Sequence, residues 1–264
     1  MRNSLLSQLI LRDLKIRYRR PALGFLWAFL TPFLTVLIFY LVFACFLKVS
    51  IAEAPFVLYL MTSVFTWGFF QGSVSASVTS LMDSRNLIRE AKFPHYLIPV
   101  SITLANAVNF LPVLLILIFS SLFLLRGLPI FIFALPFALA IHLALTAGLS
   151  IIFSILYVRW RDLKYLLDAL LMLLFYLTPA FYSISIVKDY FPKTLFLLYL
   201  VNPFTGMLNF YRTCLLKGFY ANARKDIGLV NTVFIPAIFA VLVLCLAAWL
   251  YARQKDKIND YLSY

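Results

Sequence analysis

Few side chains in this sequence have types and spacings that could do chemistry. Within its long apolar stretches only His142 and Asp168 titrate. Ionisable groups in such places are costly and usually functional. Asp168 follows Lys164 by four residues, the spacing of a helical ion pair, and that local pair is its expected role. His142 stands alone in an apolar stretch and reads as a packing histidine rather than a proton relay. No chain of Asp, Glu and His runs through the apolar stretches, as proton or sodium coupling would need. Asp162 with Asp168 is thin material for a paired-carboxylate centre, and no nucleophile constellation accompanies them. Cys45, Cys214 and Cys245 are far apart, without Cys-x-x-Cys or Cys/His spacing, so neither a metal site nor a disulfide framework is indicated. No Gly-Lys dipeptide occurs, so the phosphate-cradling loop of P-loop ATPases is missing. If the protein does work, another subunit must supply the energy.

The remaining polar chemistry is concentrated in an island, Leu81 to Val100, that carries Asp83, Arg85, Arg89, Glu90 and Lys92, then Phe93-Pro94 and His95-Tyr96. Apolar runs of membrane-spanning length flank it. The island reads as a cytoplasmic loop that meets the energy-supplying partner, with the flanking helices as the path along which something moves.

The elements that position this island follow from composition. The chain of 264 residues is 64% hydrophobic and 12% charged, with a mean hydropathy of +0.96. Soluble domains are roughly 45–50% apolar and 25% charged. One soluble core of this size cannot hide the excess, so lipid is the expected solvent for most of the chain. The net charge of +13 does not point to nucleic acid, because the basic residues lie in short flanks between apolar runs. No short apolar region with a small-residue cleavage site opens the chain, so no cleaved signal peptide is expected.

The expected fold is all-α: a polytopic membrane protein with six transmembrane helices, an N-terminal amphipathic interface helix and an outer re-entrant helical hairpin, forming one transmembrane domain over 1–264. In residues 1–20, Leu5, Leu6, Leu9, Ile10 and Leu14 recur at helical spacing among Arg2, Arg12, Lys15, Arg17, Arg19 and Arg20, the pattern of a helix lying on an anionic membrane face. Spans are expected at about 27–47, 56–80, 97–125, 130–158, 165–187 and 229–251, followed by a charged tail. Small-residue stripes at Gly68, Gly72, Ala76 and Ser80, and at Ala140, Ala144 and Gly148, suit close helix approach in lipid. Asn106, Asn109 and Pro112 make the first half of the third span polar and kinkable. Between 188 and 228 two apolar pieces, Thr194–Val201 and Phe204–Leu216, are too short to span independently and are divided by Pro203.

Six spans place both termini on one side. That side would carry 15 of the 23 Lys and Arg residues, so the positive-inside rule assigns it to the cytoplasm. Aromatic residues make up 17% of the chain. Trp27, Trp67 and Trp160 fall near span ends or in loops and suit interface anchoring. Phe33, Phe39, Tyr40 and Phe43 in the first span, and Phe175, Tyr176, Phe181 and Tyr182 in the fifth, fit two readings equally: lipid-facing packing, or a pathway on whose rings the C–H faces of sugars stack.

Four stretches resemble a known family. Arg12-Asp13-Leu14-Lys15-Ile16-Arg17-Tyr18, followed by Leu23-Gly24-Phe25-Leu26-Trp27, resembles the start of the membrane (permease) subunit of type-2 ABC exporters for polysaccharides such as O-antigen, capsule and teichoic acid. Asn86-Leu87-Ile88-Arg89, Lys92-Phe93-Pro94 and Pro99 resemble its loop after the second span. Thr178-Pro179 with Tyr182, and Asn202-Pro203 with Tyr211-Arg212, resemble its fifth span and outer hairpin.

The resemblance implies a homodimer joined to two ATP-binding cassette subunits, which would hold ATP and Mg; no cofactor is expected in this chain. It implies a multi-pass protein of the bacterial inner membrane exporting a glycan on a polyprenyl diphosphate lipid. It assigns Arg12, Asp13, Lys15, Arg17 and Tyr18 to an interface helix. Arg85, Asn86, Leu87, Ile88, Arg89, Lys92, Phe93 and Pro94 fall to an ATPase-coupling loop, and Asn202, Pro203, Tyr211 and Arg212 to an outer gate. Phe33, Tyr40, Phe175, Tyr176, Phe181 and Tyr182 become candidate channel aromatics. Two other readings stand beside this one: a related permease for a small lipid or drug, and a membrane enzyme acting on lipid-linked sugars.

Overall fold

The structure, a computed structural model, describes residues 2–18, 26–51, 54–90, 93–223 and 228–261. Lys92 and the side chains of Arg17, Tyr18 and Trp27 lie outside the described residues. The described residues are helical or irregular, with no strand among them. The chain order is α1 (Arg2–Tyr18), α2 (Trp27–Phe39) running on as a π-helical segment (Tyr40–Phe46), α3 (Phe56–Val78), α4 (Ser80–Asp83), α5 (Arg85–Glu90) and α6 (Leu97–Leu125). Next come a 3-10 turn (Ile130–Ala134), α7 (Leu135–Arg159), α8 (Leu163–Leu177), α9 (Ile184–Tyr190), α10 (Lys193–Val201), α11 (Pro203–Leu215) and α12 (Phe219–Ala223). A π-helical segment (Val230–Phe234) leads into α13 (Ile235–Tyr261).

Three helices among the described residues are long and apolar enough to cross a membrane: Leu97–Leu125, Ile130–Arg159 and Val230–Lys255. Leu30–Phe46 is a shorter apolar helix. Two expected spans differ for physical reasons. α3 is diluted by Ser, Thr, Gly and Gln because it is mostly buried among other helices. Its hydroxyls are satisfied within the helix: Thr62 donates to the Leu58 carbonyl (2.8 Å), Ser63 to Tyr59 (2.8 Å), Ser73 to Phe69 (2.7 Å) and Ser77 to Ser73 (2.7 Å). Such back-bonding lets a polar helix enter a dry interior.

The fifth apolar stretch is not one helix over 165–187. α8 stops at Leu177, because Pro179 offers no amide and drives the preceding Thr178 into an extended conformation (φ −102°, ψ 142°). At ~1.5 Å per residue α8 is only about 22 Å long. The final helix errs the other way: the expected charged tail continues α13 to Tyr261, and Ile258 is buried.

The longest helix contact is between α7 and α13. A Cβ on Gly148 would lie 2.7 Å from Val243 Cγ1 and 3.2 Å from the Leu244 amide nitrogen, so only glycine permits this approach. The stripe on α3 behaves differently, because a Cβ on Gly68 or Gly72 would meet nothing within 4 Å. α11 is inserted in the bundle, with every residue from Thr205 to Leu215 buried. Asn202 caps it by accepting from the Phe204 amide (3.0 Å), and Pro203 occupies the first turn, where a missing amide costs least.

Candidate translocation cavity and coupling face

The open face of α3 borders a cavity of about 430 Å³ among α2, α3, α6 and α8. Aromatic rings and uncharged polar groups line it. From α3 come Phe65, Trp67, Phe69 and Gln71; from α6 Asn106, Asn109 and Phe110; from α2 Thr31 and Thr35; from α8 Phe175. Trp67 Nε1 donates to Gln71 Oε1 at 3.0 Å, which fixes the amide with its NH2 unspent on that bond. Asn109 is 9% exposed, and its buried Nδ2 has no hydrogen-bond partner among the described residues. An unsatisfied buried donor costs about 1–3 kcal/mol and calls for an explanation. Pro112, one turn further along α6, cannot donate to the Val108 carbonyl and makes this half of the helix easier to bend.

A second polar centre closes the break after α8. Arg212 on α11 is 0% exposed. Its guanidinium stacks 3.3 Å from the centroid of the Tyr59 ring and donates to Asn209 Oδ1 (3.1 Å), to Ser63 Oγ and to the Pro179 and Ala180 carbonyls. The Tyr59 hydroxyl donates to the Tyr182 carbonyl at 2.9 Å. Asn202 Nδ2 reaches Thr178 Oγ1 at 3.4 Å, and the hydroxyls of Tyr182 and Tyr199 lie 3.1 Å apart. Exposed backbone cannot persist in hydrocarbon. Arg212 and Tyr59 supply the donors that the interrupted helix lacks, at an end where the helix dipole favours a cation.

The island after α3 forms a third site. α5 turns Arg85, Asn86, Arg89 and Glu90 outward and buries Ile88. Leu81, Ile88 and Ile98 pack with Ile152, Ile155 and Val158 of α7 and with Ala247 and Ile258 of α13. The His95 amide donates to the Tyr251 hydroxyl (3.2 Å), and Tyr96 meets Tyr251 edge-on at 5.1 Å. Burial pushes the His95 imidazole below its ordinary pKa. α1 joins this face: Arg12 donates to Ser84 Oγ at 3.3 Å and lies 3.7 Å from Asp13, which accepts from Ser101 at 3.2 Å.

The expected site residues therefore fall into separate places. Arg12 and Asp13 join the island; Lys15 is exposed. Leu9 is buried and α1 packs along α6, while Leu5, Leu6, Ile10 and Leu14 stay half-buried. Arg85, Asn86, Leu87, Ile88, Arg89, Phe93 and Pro94 lie together on the island. Phe33 packs edge-on against Phe65 (5.1 Å), Phe175 lies 5.6 Å from Trp67, and Phe181 stacks on Phe43 at 4.8 Å. Tyr176 meets Phe181 at 5.7 Å and is half exposed, as is Tyr40. Asn202, Pro203, Tyr211 and Arg212 share α11 or its cap.

Two expectations need correction. Asp168 accepts from Ser75 Oγ on α3 at 3.1 Å, and no ion pair joins it to Lys164. Trp67 lies in the middle of α3, 4% exposed, not at a span end. Arg212, which the resemblance assigns to an outer gate, is buried on α11 and ties it to Ser63 and to the carbonyls that follow α8. Its signal was present in the sequence, since Asn209 and Arg212 stand three residues apart on one helical face. Gln71 carried no such signal. His142 is the packing histidine expected, 4.8 Å from Phe69 and 3.3 Å from the Tyr211 hydroxyl.

A helical bundle with membrane-length apolar helices, an internal cavity and an outward-facing basic loop defines a membrane transport subunit. The chain belongs to the ABC-2 type transporter family, whose signature it matches over residues 4–216. It is 28% identical over 260 residues to the O-antigen export system permease protein RfbA of Myxococcus xanthus, covering 97% of this chain and 94% of that protein. It is 30% identical over 240 residues to the protein of the same name from Klebsiella pneumoniae, covering 86% and 88%. The chain is thus a membrane-embedded permease rather than an enzyme, in a family that works with a separate ATP-binding subunit.

Proposed function

We propose that this chain is the channel subunit of an ATP-driven exporter that moves a lipid-linked polysaccharide from the cytoplasmic to the outer side of the bacterial inner membrane. The observation that carries the reading is the near end-to-end similarity to O-antigen export permeases. Two copies of the chain pair with two ATP-binding subunits, which hold ATP and Mg, and the glycan rides on a polyprenyl diphosphate. Both termini face the cytoplasm. The six crossings are α2 with its π segment, α3, α6, α7, α8 with the broken stretch after it, and α13. α10 and α11 form the outer re-entrant hairpin, and the burial of α11 supports that reading.

The roles follow the three sites. α5, through Arg85 and Arg89, meets the ATP-binding subunit, with Asn86, Leu87, Lys92, Phe93 and Pro94 completing the loop. α1, through Arg12, Asp13, Lys15, Arg17 and Tyr18, travels with it because Arg12 and Asp13 are bonded to the island and to α6. Phe33, Tyr40, Phe175, Tyr176, Phe181 and Tyr182 line the pathway. Asn202, Pro203, Tyr211 and Arg212 hold the outer gate.

The test is transport in inverted membrane vesicles carrying this chain and its ATP-binding subunit. A radiolabelled polyprenyl-diphosphate glycan should become protected in the lumen only with ATP. Uptake of a small lipid or drug without glycan uptake would move the function to the second reading. Chemical turnover of the lipid-linked sugar by the chain alone would favour the enzyme.

A further inference from the structure

We propose that the turn between α6 and α7, together with the segment after α11, binds the headgroup phosphate of an anionic phospholipid from the surrounding bilayer. On the export reading this site lies in the outer leaflet. That placement rests on the reading; the chemistry of the site does not.

Two cations carry the inference. Arg126 ends α6, and Lys217 follows α11. The fold brings these distant segments together: a Cβ on Gly127 would lie 3.3 Å from Lys217 Nζ, so the ammonium rests against the residue next to Arg126. Among the described residues neither cation has an ion-pair or hydrogen-bond partner. Like charges brought together repel unless an anion joins them. The dipole at the carboxyl end of α6 attracts one cation and does not call for a second. In the export topology both stand on the side that the positive-inside rule leaves poor in Lys and Arg, so setting orientation does not account for them. The turn is also strained. Arg126 has φ 49° and ψ 43°, a left-handed conformation that is costly for a residue with a side chain and recurs at ligand clamps.

The surface around the cations fits a lipid rather than a free phosphate. A groove of about 290 Å³ runs from Lys217 past Tyr220 and Phe131, whose rings meet edge-on at 5.4 Å. On the other side of the turn Arg126 borders a groove shared with Phe119 and Phe123. Phe119, Phe123, Ile130 and Phe133 are all exposed. Phosphate at the cations and acyl chains along these apolar side chains therefore share one site, with Tyr220 at the level of an interfacial aromatic. The occupant comes from the bilayer and not from the cavity. At ~100° per residue, Phe119, Phe123 and Arg126 lie about 130° round α6 from the cavity-lining Asn106, Asn109 and Phe110.

The experiment uses the complete complex with its ATP-binding subunit in phosphatidylethanolamine proteoliposomes. A trace of lipid carries a photoactivatable diazirine on one acyl chain, and labelled peptides are mapped. Phosphatidylglycerol should label residues 119–133 at least about fivefold more than phosphatidylcholine, the effect of one or two cations beside an anionic headgroup. Arg126→Gln with Lys217→Gln, both at exposed side chains, should bring phosphatidylglycerol down to the phosphatidylcholine level. Equal labelling by the two lipids in the native complex, or a preference that survives the double change, would overturn the site. No labelling by either lipid would show the face covered by another chain and overturn it too. Displacement of phosphatidylglycerol by an equal amount of undecaprenyl diphosphate, but not by undecaprenol, would make the carrier the occupant and overturn the phospholipid assignment. With the photoactivatable lipid confined to one leaflet, labelling should come from the leaflet away from the ATP-binding subunits. Labelling only from their own leaflet would keep the phosphate site and overturn the topology of the export reading.

Discussion

Arg212 shows how a single side chain ties together the part of the bundle around α11. It reaches Ser63, Asn209 and two carbonyls beyond α8 while lying over Tyr59. Arg212→Met keeps bulk but orphans these acceptors, and should lower stability by about 3 kcal/mol, read as a fall in the unfolding midpoint of the purified protein. Arg212→Lys should recover only part of it, because an ammonium cannot replace a planar fork; full recovery by lysine would show that charge alone matters. His95 gives a pH signature. Its folded pKa is depressed by burial, so its contribution is complete above the unfolded value of about 6.5 and is lost as pH falls through the lower folded value. The unfolding midpoint should drop between pH 8 and pH 5 by more in the native protein than in His95→Gln; equal drops would remove His95 from the acid response. At this scale the sequence was half legible. His142 and the amides of α6 stood out as isolated polar residues, whereas the partners of Asp168 and Arg212 come from distant segments that spacing along one helix does not reveal.

At the scale of elements, two glycines in similar-looking stripes have opposite meanings. Gly148 touches the backbone of α13, and a Cβ on Gly206 would fall on the Asn231 carbonyl and Pro236. Gly148→Ala and Gly206→Ala should each destabilise by about 1–3 kcal/mol through overpacking. Gly68→Ala meets no neighbour and should leave the midpoint unchanged or raise it by up to about 1 kcal/mol, the gain in helix propensity. Thermal unfolding of the three variants separates these outcomes, and a common sign for all three would contradict the packing described. The bounds of α6 and the end of α7 were readable because both are continuous apolar runs ended by turns at Arg126-Gly127 and Trp160, although the expected start at 130 is a 3-10 turn before α7. α8 was overextended because hydropathy continues past Pro179 although the backbone does not. The last helix was cut short because its charged end looks like a tail, yet Ile258 packs against the island.

At the scale of the molecule, the contacts join the island to the rest of the bundle. α4 and α5 rest on α7 and α13, and α1 is bonded to the island, so on the proposed export role a push on the island from an ATP-binding subunit would be felt by both long helices and by α1 together. Arg89→Glu, an outward-facing change, should leave insertion and folding intact while reducing transport per ATP hydrolysed by at least about tenfold, as charge reversal at a docking contact does. Normal transport by that variant would remove Arg89 from the coupling face. The family was legible from four short stretches because they keep their order along the chain, while the cavity, assembled from four helices, appears only when the chain is folded. The most direct measurement is made on cells lacking this chain, where surface glycan is quantified together with the location of its lipid-linked precursor. The account predicts loss of surface glycan with finished precursor held on the cytoplasmic side of the inner membrane; unchanged surface glycan, or absence of the precursor itself, would contradict it.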